Sequence, residues 1–344
     1  MKKILFTGGG TGGHIYPNLA IMDLLKNRYE IIYVGLKNSL EEKLISNQYR
    51  FYSISAVKFV RALTPKNLLI PFKLIKSVNE CKNIIKKEKP DLIFSKGGFV
   101  SLPVVIAGSK LNIPCLTHES DFSMGLANKL ISKKCKYVLT SFKETSEKVK
   151  NGVYTGSPIR KEILNANLLT KSIKLNKNKK TLLIMCGSLG SKTINNYVLK
   201  NLDSLLKTYN VLHIVGKGNL QNIKKQDYYE IEYSNEIQNL ITASDVVISR
   251  GGSNSLFELL ALKKPTLIIP LSKAQSRGDQ ILNANYFYNL NVANKLYEED
   301  FDTTNLLNKV NETLLNKDKY LNNLKNISTC GNDNIIKIID NILK

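Results

Sequence analysis

Four glycine-rich turns stand out, each placed between a short β-branched run and a segment of helical period: Gly8 to Gly13, Gly97-Gly98, Gly187 to Gly190 and Gly251-Gly252. Glycine lets main-chain N–H groups approach an anion closely, and the helix that follows offers its positive N-terminus. Such junctions point to a ligand carrying phosphates. His14 follows the first turn directly, with Pro17 opening the next helix, so an imidazole that titrates near neutrality sits at the carboxyl end of the first strand. That edge is where open α/β sheets bind ligands. Two familiar readings fail on their letters. Gly8 to Gly13 satisfies G-x-G-x-x-G, but the second strand ends in Gly35-Leu36-Lys37, without the acidic residue that would hold a dinucleotide's ribose. Gly187-Ser188-Leu189-Gly190-Ser191-Lys192-Thr193 has Ser191 where a phosphate-binding P-loop needs glycine, which excludes an NTPase.

The elements that must carry these turns alternate along the whole chain. Strands are expected at Lys3 to Thr7, Ile31 to Val34, Leu92 to Ser95, Cys115 to Thr117 and Tyr137 to Thr140, then at Thr181 to Cys186, Val211 to Val215, Glu230 to Tyr233, Val246 to Ser249 and Thr266 to Ile269. Short apolar strands separated by helices describe parallel sheets covered on both faces, so the fold class is α/β, twice over. The length of 344 residues fits two domains, and Gly156-Ser157-Pro158 breaks the pattern near the midpoint. We place the domains at 1–157 and 158–344, with a last helix near 333–343 whose host domain the sequence leaves open. Lys and Arg total 50 against 28 Asp and Glu, a net +22 on a chain that is 43% hydrophobic: an ordered protein with an anionic partner. Five cysteines without a C-x-x-C pair read as reduced thiols. No aromatic-and-basic RNA signature, zinc spacing or recognition helix supports nucleic-acid binding.

Six motifs in order carry a resemblance: Gly9-Gly10-Thr11-Gly12-Gly13-His14 with Pro17, Lys96-Gly97-Gly98-Phe99-Val100-Ser101, His118-Glu119-Ser120-Asp121, Gly156-Ser157-Pro158-Ile159-Arg160, Gly187-Ser188-Leu189-Gly190, and Arg250-Gly251-Gly252-Ser253 through Glu258. From Lys3 to about Ala284 the chain resembles the MurG family, UDP-N-acetylglucosamine transferases that make lipid II of bacterial peptidoglycan. The resemblance implies the GT-B architecture, two Rossmann-like domains facing across a cleft, working as a peripheral enzyme on the cytoplasmic face of the cell membrane. It implies that the second half binds UDP-N-acetylglucosamine, with Arg160 and Ser188 on the diphosphate, Ser253, Asn254, Ser255 and Leu256 at the turn and helix start beside it, Glu258 on the ribose hydroxyls and Gln280 on the sugar. The first half would bind the acceptor, lipid I, through Thr11, Gly12, Gly13 and Asp121. Many members have His-Glu-Gln-Asn where this chain has His118-Glu119-Ser120-Asp121, and an aspartate does not donate hydrogen bonds as an amide does.

The implied reaction moves N-acetylglucosamine to the muramic acid 4-hydroxyl with inversion, which asks for one base and a stabilised leaving group. His14 leads as base, followed by Glu119 and then Asp121. No cofactor is expected. Asp300-Phe301-Asp302 has the letters of a metal-binding D-x-D pair, yet it follows Glu298 and Glu299 just before a helix opening near Thr303, where acids serve the helix dipole; no metal is expected there. Residues 58 to 89 carry nine basic and two acidic side chains, with Thr64-Pro65 as a helix start and Phe72, Ile75, Val78 and Ile85 at helical spacing. This basic, apolar-rimmed stretch suits an anionic membrane surface. No segment has the unbroken apolar length of a membrane span and none reads as a secretion signal. A diacylglycerol glycosyltransferase, a UDP-N-acetylglucosamine 2-epimerase and an inactive membrane scaffold are the rival readings.

Overall fold

The structure, a computed structural model, describes residues 1–56, 70–165, 173–187, 189–273, 278–302 and 304–344. The expected helix start at Thr64-Pro65, the diphosphate candidate Ser188 and Thr303 lie outside the described residues. The chain divides into two compact units, Met1–Arg160 with Cys330–Lys344, and Lys161–Thr329.

In the first unit β1 (Lys3–Thr7), β2 (Glu30–Gly35), β3 (Arg50–Ser53), β4 (Leu92–Ser95), β5 (Cys115–Glu119), β6 (Tyr137–Thr140) and β7 (Gly152–Tyr154) form a seven-stranded sheet in the order β3-β2-β1-β4-β5-β6-β7. All pairs are parallel. Successive side chains along a strand point to opposite faces, so β1 feeds two cores. Ile4 and Phe6 pack with Ile15, Ile21, Met22 and Leu25 of the helix Gly12–Leu25. Leu5 packs on the other face with Val78, Cys81 and Ile85 of the helix Ile70–Glu88 and with Val104 and Val105 of the helix Ser101–Lys110. In the second unit β8 (Lys180–Met185), β9 (Tyr209–Ile214), β10 (Tyr228–Ile231), β11 (Val246–Ser249), β12 (Thr266–Ile268) and β13 (Asn294–Lys295) give a six-stranded sheet in the order β10-β9-β8-β11-β12-β13. These pairs are parallel too.

Each order reverses direction once, between β1 and β4 in the first sheet and between β8 and β11 in the second. Helices leave to opposite faces there, which opens a crevice at the carboxyl ends of the strands. All four glycine turns follow these four strands. The ten strands expected from sequence are present within one or two residues at their ends; β3, β7 and β13 were missed. All three are edge strands of two to four residues with partly exposed side chains, so they lack the buried apolar run that marks a central strand.

The boundary falls a few residues beyond the expected 157, and the fold supplies the host of the last helix, which the sequence leaves open. The first unit extends to Arg160, and the last helix, Asn332–Leu343, returns to it by burying Ile335, Ile339 and Leu343 in the same core as the helix Gly12–Leu25. The two crossings of the chain are pinned together inside this unit. The Asn332 side chain accepts from Ile159 N at 2.9 Å and donates to Ile159 O at 2.8 Å, and Gly331 N donates to Ser157 O at 2.7 Å. Asn332→Ala would leave both main-chain groups of the fully buried Ile159 without these partners. The first unit is expected to lose about 2 kcal/mol, read as a lower urea midpoint for its unfolding by circular dichroism; an unchanged midpoint would show that the clamp is not needed.

Candidate functional site

The loops after β1, β4 and β5 meet at the first crevice. Thr11 caps the helix Gly12–Leu25 in extended conformation, and its hydroxyl lies 3.1 Å from His14 Nδ1. Thr11 and Gly13 are exposed, Gly12 and His14 partly so. Gly98 has φ +80°, and a Cβ there would sit 3.2 Å from the His14 ring and 3.0 Å from Gly9 O, so only glycine lets the two loops close on each other. Lys96 begins the second loop. It is only 2% exposed, and its ammonium donates to Ser120 Oγ in the loop after β5. Burial pulls its pKa down to about 8, against the opposing pull of Glu119 and Asp121.

Glu119 is buried with both carboxylate oxygens occupied. Oε1 accepts from Asp121 N at 3.0 Å, and Oε2 accepts from Gly125 N and Asn128 Nδ2, both at 2.9 Å. Burial and then the Asp121 charge raise its pKa, while these donors oppose the rise. Such a carboxylate folds the loop 120–125 around itself, which leaves little of it for a substrate proton. His118 is fully buried and its Nε2 bonds Gly156 O at 3.1 Å; burial first and the Lys96 charge second hold its pKa well below the usual imidazole value. Asp121 and Ser120 stand at the mouth of this arrangement, Asp121 partly exposed. Arg160 belongs to the first unit and lays its guanidinium 5.1 Å from the centroid of Tyr16, one helical step from the glycine loop.

In the second unit the turn after β8 lies on the segment after β9. Gly190 has φ +68°, and a Cβ there would fall 1.8 Å from Val215 O. Beneath it Asn195 donates to Val215 O at 2.9 Å and accepts from His213, which bonds Tyr228 in turn; burial takes His213 down to about 4, so it stays neutral. The helix Ser253–Ala261 starts straight after β11 with Gly252 as its N-cap and no side-chain cap. Its first-turn N–H groups therefore face out of the helix end, the geometry that receives an anion. Asn254, Ser255 and Glu258 are partly exposed along this helix. Ser253 and Leu256 are buried, and Leu256 N bonds Gly252 O at 3.1 Å, so Leu256 packs the interior and does not present its side chain to a ligand. Gln280 Oε1 accepts from Gly251 N at 3.2 Å and from Leu271 N at 3.0 Å, which ties the turn after β11 to the segment after β12.

Arg250 is spent on the protein. It pairs with Glu298 at 2.7 Å, donates to Ser191 Oγ at 2.6 Å and reaches the carbonyls of Ile269 and Pro270, joining the two glycine turns of this unit. Beside it the Phe301 ring of Asp300-Phe301-Asp302 stacks on Tyr197 with centroids 3.8 Å apart. The helix expected near Thr303 runs Leu306–Leu315. Among the described residues no cluster of three or more His, Cys, Asp or Glu side chains has metal-binding geometry.

Residues 4–140 match the glycosyltransferase family 28 N-terminal domain and residues 181–339 its C-terminal domain. A Clostridium botulinum (strain Alaska E43 / Type E3) protein named UDP-N-acetylglucosamine–N-acetylmuramyl-(pentapeptide) pyrophosphoryl-undecaprenol N-acetylglucosamine transferase is 47% identical over 352 residues, covering 99% of this chain and 98% of that protein. The chain belongs to glycosyltransferase family 28. A Clostridium tetani (strain Massachusetts / E88) protein of the same name is 45% identical and covers 98% of both chains. The crystal structure of Acinetobacter baumannii MurG shares the fold, with a TM-score of 0.77 at 20% identity over 99% of this chain and 100% of that one. Two parallel-sheet α/β units of this family constitute the GT-B architecture.

Within the family 28 fold, the structure gathers Thr11, Gly12, Gly13, His14, Glu119 and Asp121 around the first crevice, and Asn254, Ser255, Glu258 and Gln280 around the second. Lys96, Asn128 and Arg250 were not singled out as site residues from sequence. Lys96 and Arg250 each precede a glycine pair, and that position was the available signal; Asn128 had none, since only the fold brings it to Glu119. Gln280→Ala removes the acceptor shared by Gly251 and Leu271. Amide exchange at these two positions is expected to rise roughly tenfold, the loss of one net hydrogen bond, in hydrogen–deuterium exchange mass spectrometry. Unchanged protection would mean that the turn holds itself.

Proposed function

We propose that this family 28 chain transfers N-acetylglucosamine from UDP-N-acetylglucosamine to the 4-hydroxyl of the muramic acid in lipid I, forming lipid II. The observation that carries the reading is the full-length match to relatives named for that reaction, at 47% identity over 99% of the chain. The geometry supports it through two crevices built from glycine turns and helix N-termini, each suited to a diphosphate.

The second unit binds the donor. Main-chain N–H groups after Gly252 receive the diphosphate, Glu258 accepts from the ribose hydroxyls, and Gln280 holds the turn from which the sugar is addressed. Ser188 and Arg160, assigned by motif position, add donors to the diphosphate. Their positive field stabilises UDP as it leaves, and removal of one such donor costs about 3 kcal/mol in the barrier. The first unit binds the acceptor, with Thr11, Gly12 and Gly13 around its phosphate or sugar and Asp121 on the sugar. His14 takes the proton of the 4-hydroxyl as its oxygen attacks the anomeric carbon from the face opposite UDP; the carbon–oxygen bond to UDP breaks and the configuration inverts. Thr11 Oγ1 holds the imidazole in place from Nδ1. Glu119, with three donors on its carboxylate, shapes the loop in this scheme, and the base role stays with His14.

The acceptor's lipid brings the protein to a membrane surface. Among the described residues no helix is long and apolar enough to cross a membrane. The helix Ile70–Glu88 leaves Phe72 at 72% and Ile75 at 59% exposure, with Lys73 and Lys76 exposed beside them. Apolar side chains among lysines suit insertion at an anionic headgroup layer on the cytoplasmic face, where the nucleotide donor is found.

With purified lipid I and UDP-N-acetylglucosamine, the protein is expected to yield lipid II by chromatography. His14→Ala is expected to lower kcat roughly 10²- to 10⁴-fold, with donor affinity unchanged by calorimetry. A variant that retains most turnover removes His14 from the base role, and no product from the unaltered protein removes the whole reading. Sedimentation with phosphatidylglycerol vesicles is expected to weaken as salt rises, and more so for Phe72→Asp. Equal binding to neutral vesicles would count against the surface.

A further inference from the structure

A lysine buried to 2% exposure at the β1/β4 crevice is a costly choice, and nothing in the transfer scheme uses it. Its main chain continues the sheet, with Lys96 N donating to Thr7 O at 2.9 Å, and its side chain passes beneath the glycine loop, 3.1 Å from where a Cβ on Gly8 would stand. The ammonium ends on Ser120 Oγ, in the loop that also holds Glu119 and Asp121. Glu119 already has three donors from Asp121 N, Gly125 N and Asn128. Asp121 gives its main-chain N–H to that same carboxylate, which brings a second acid next to a buried first one. Two neighbouring carboxylates repel each other unless a cation stands close by.

We propose that Lys96 is a positioning residue for acceptor binding: through Ser120 it anchors the loop after β5, and its ammonium is the counter-charge to the acids of that loop, Glu119 and Asp121, where the acceptor's sugar is received. This rests on the reading of the first crevice as the acceptor site. Lys96 and Asp121 then act as one unit, so the effects of removing each do not add. Removing Lys96 leaves two acids together, whereas neutralising Asp121 leaves a buried ammonium with one acid fewer.

A lysine that loses its proton near pH 8 also sets an alkaline limit. The other titratable groups facing this nook are Glu119, Asp121 and His118 from β5 and its loop, His14 from the helix Gly12–Leu25, which packs on Gly98, and Glu41, whose carboxylate lies against Gly9. His118 is held well below the usual imidazole value by burial, and a limb centred near 8 that vanishes with Lys96 belongs to Lys96.

The test compares the unaltered protein with Lys96→Met, Asp121→Asn and the double variant. It records kcat/KM for lipid I from pH 6.5 to 9.5, Tm, and donor affinity as the measure of an intact second unit. Each single variant is expected to raise the acceptor KM, and the double variant to recover at least about tenfold over the product of the two single effects, the coupling of directly interacting residues. The alkaline limb should be absent whenever Lys96 is. Additive effects, or a limb that survives in Lys96→Met, overturn the proposal. If the unaltered protein shows no transfer, the proposed function fails separately, and the Tm cycle decides the pair: non-additive values uphold it and additive values overturn it. A Lys96→Met protein too unstable to assay is judged through Asp121→Asn, whose alkaline limb must shift if the two charges interact.

Discussion

Parallel strands whose order reverses leave an opening that no helix fills, and the candidate site residues of both units lie at those openings. On either side of the reversal, the connecting helices depart to opposite faces of the sheet, so the strand ends and helix N-termini between them face outward. Main-chain N–H groups collect there without long side chains, which explains why the motifs are so rich in glycine and so poor in lysine or arginine aimed outward. The one arginine in the second unit's turn, Arg250, is engaged by Glu298 and three other oxygen acceptors and acts as a brace between loops. In the proposed transfer, oriented peptide dipoles act on the diphosphate beside Arg160 and Ser188, and they require no reorganisation as the leaving group gains charge.

The two units solve the same packing problem with different interiors. In the second, the polar groups under the glycine turn are neutral: His213, Asn195 and Tyr228 form a chain in which the imidazole has no tendency to charge. In the first, the equivalent depth holds an ammonium and a carboxylate, Lys96 and Glu119, at almost complete burial. Buried ions seldom add stability over an apolar replacement. Their presence in the first unit suits the proposed reading of that half as the one that shapes a loop around the acceptor.

Much of this was readable from the chain. Central strands such as Leu92–Ser95 and Val246–Ser249 announce themselves because burial on both faces leaves an unbroken apolar run, and the glycine turns identify their carboxyl ends. Three of the four edge strands, β3, β7 and β13, were hidden because they are only two to four residues long and lack a buried apolar run. The site's outer residues, from Thr11 to His14 and from Asn254 to Glu258, were legible through loop position and family likeness. What the sequence did not reveal was partnership. Whether Glu119 is offered to a substrate or consumed by Asp121, Gly125 and Asn128 depends on a loop closing back on itself, and whether Leu256 lines a site or fills an interior depends on which way the helix Ser253–Ala261 is rolled.

The return of the helix Asn332–Leu343 to the first sheet imposes an order on biosynthesis. A ribosome delivers the first unit's strands early, yet one face of their sheet waits for Ile335, Ile339 and Leu343, which emerge only after the second unit. The middle of the polypeptide can finish packing while the earlier segment is still incomplete. A chain stalled before these residues would thus hold a packed second unit beside an unfinished first, and damage in the helix Asn332–Leu343 is felt by strands far away in sequence.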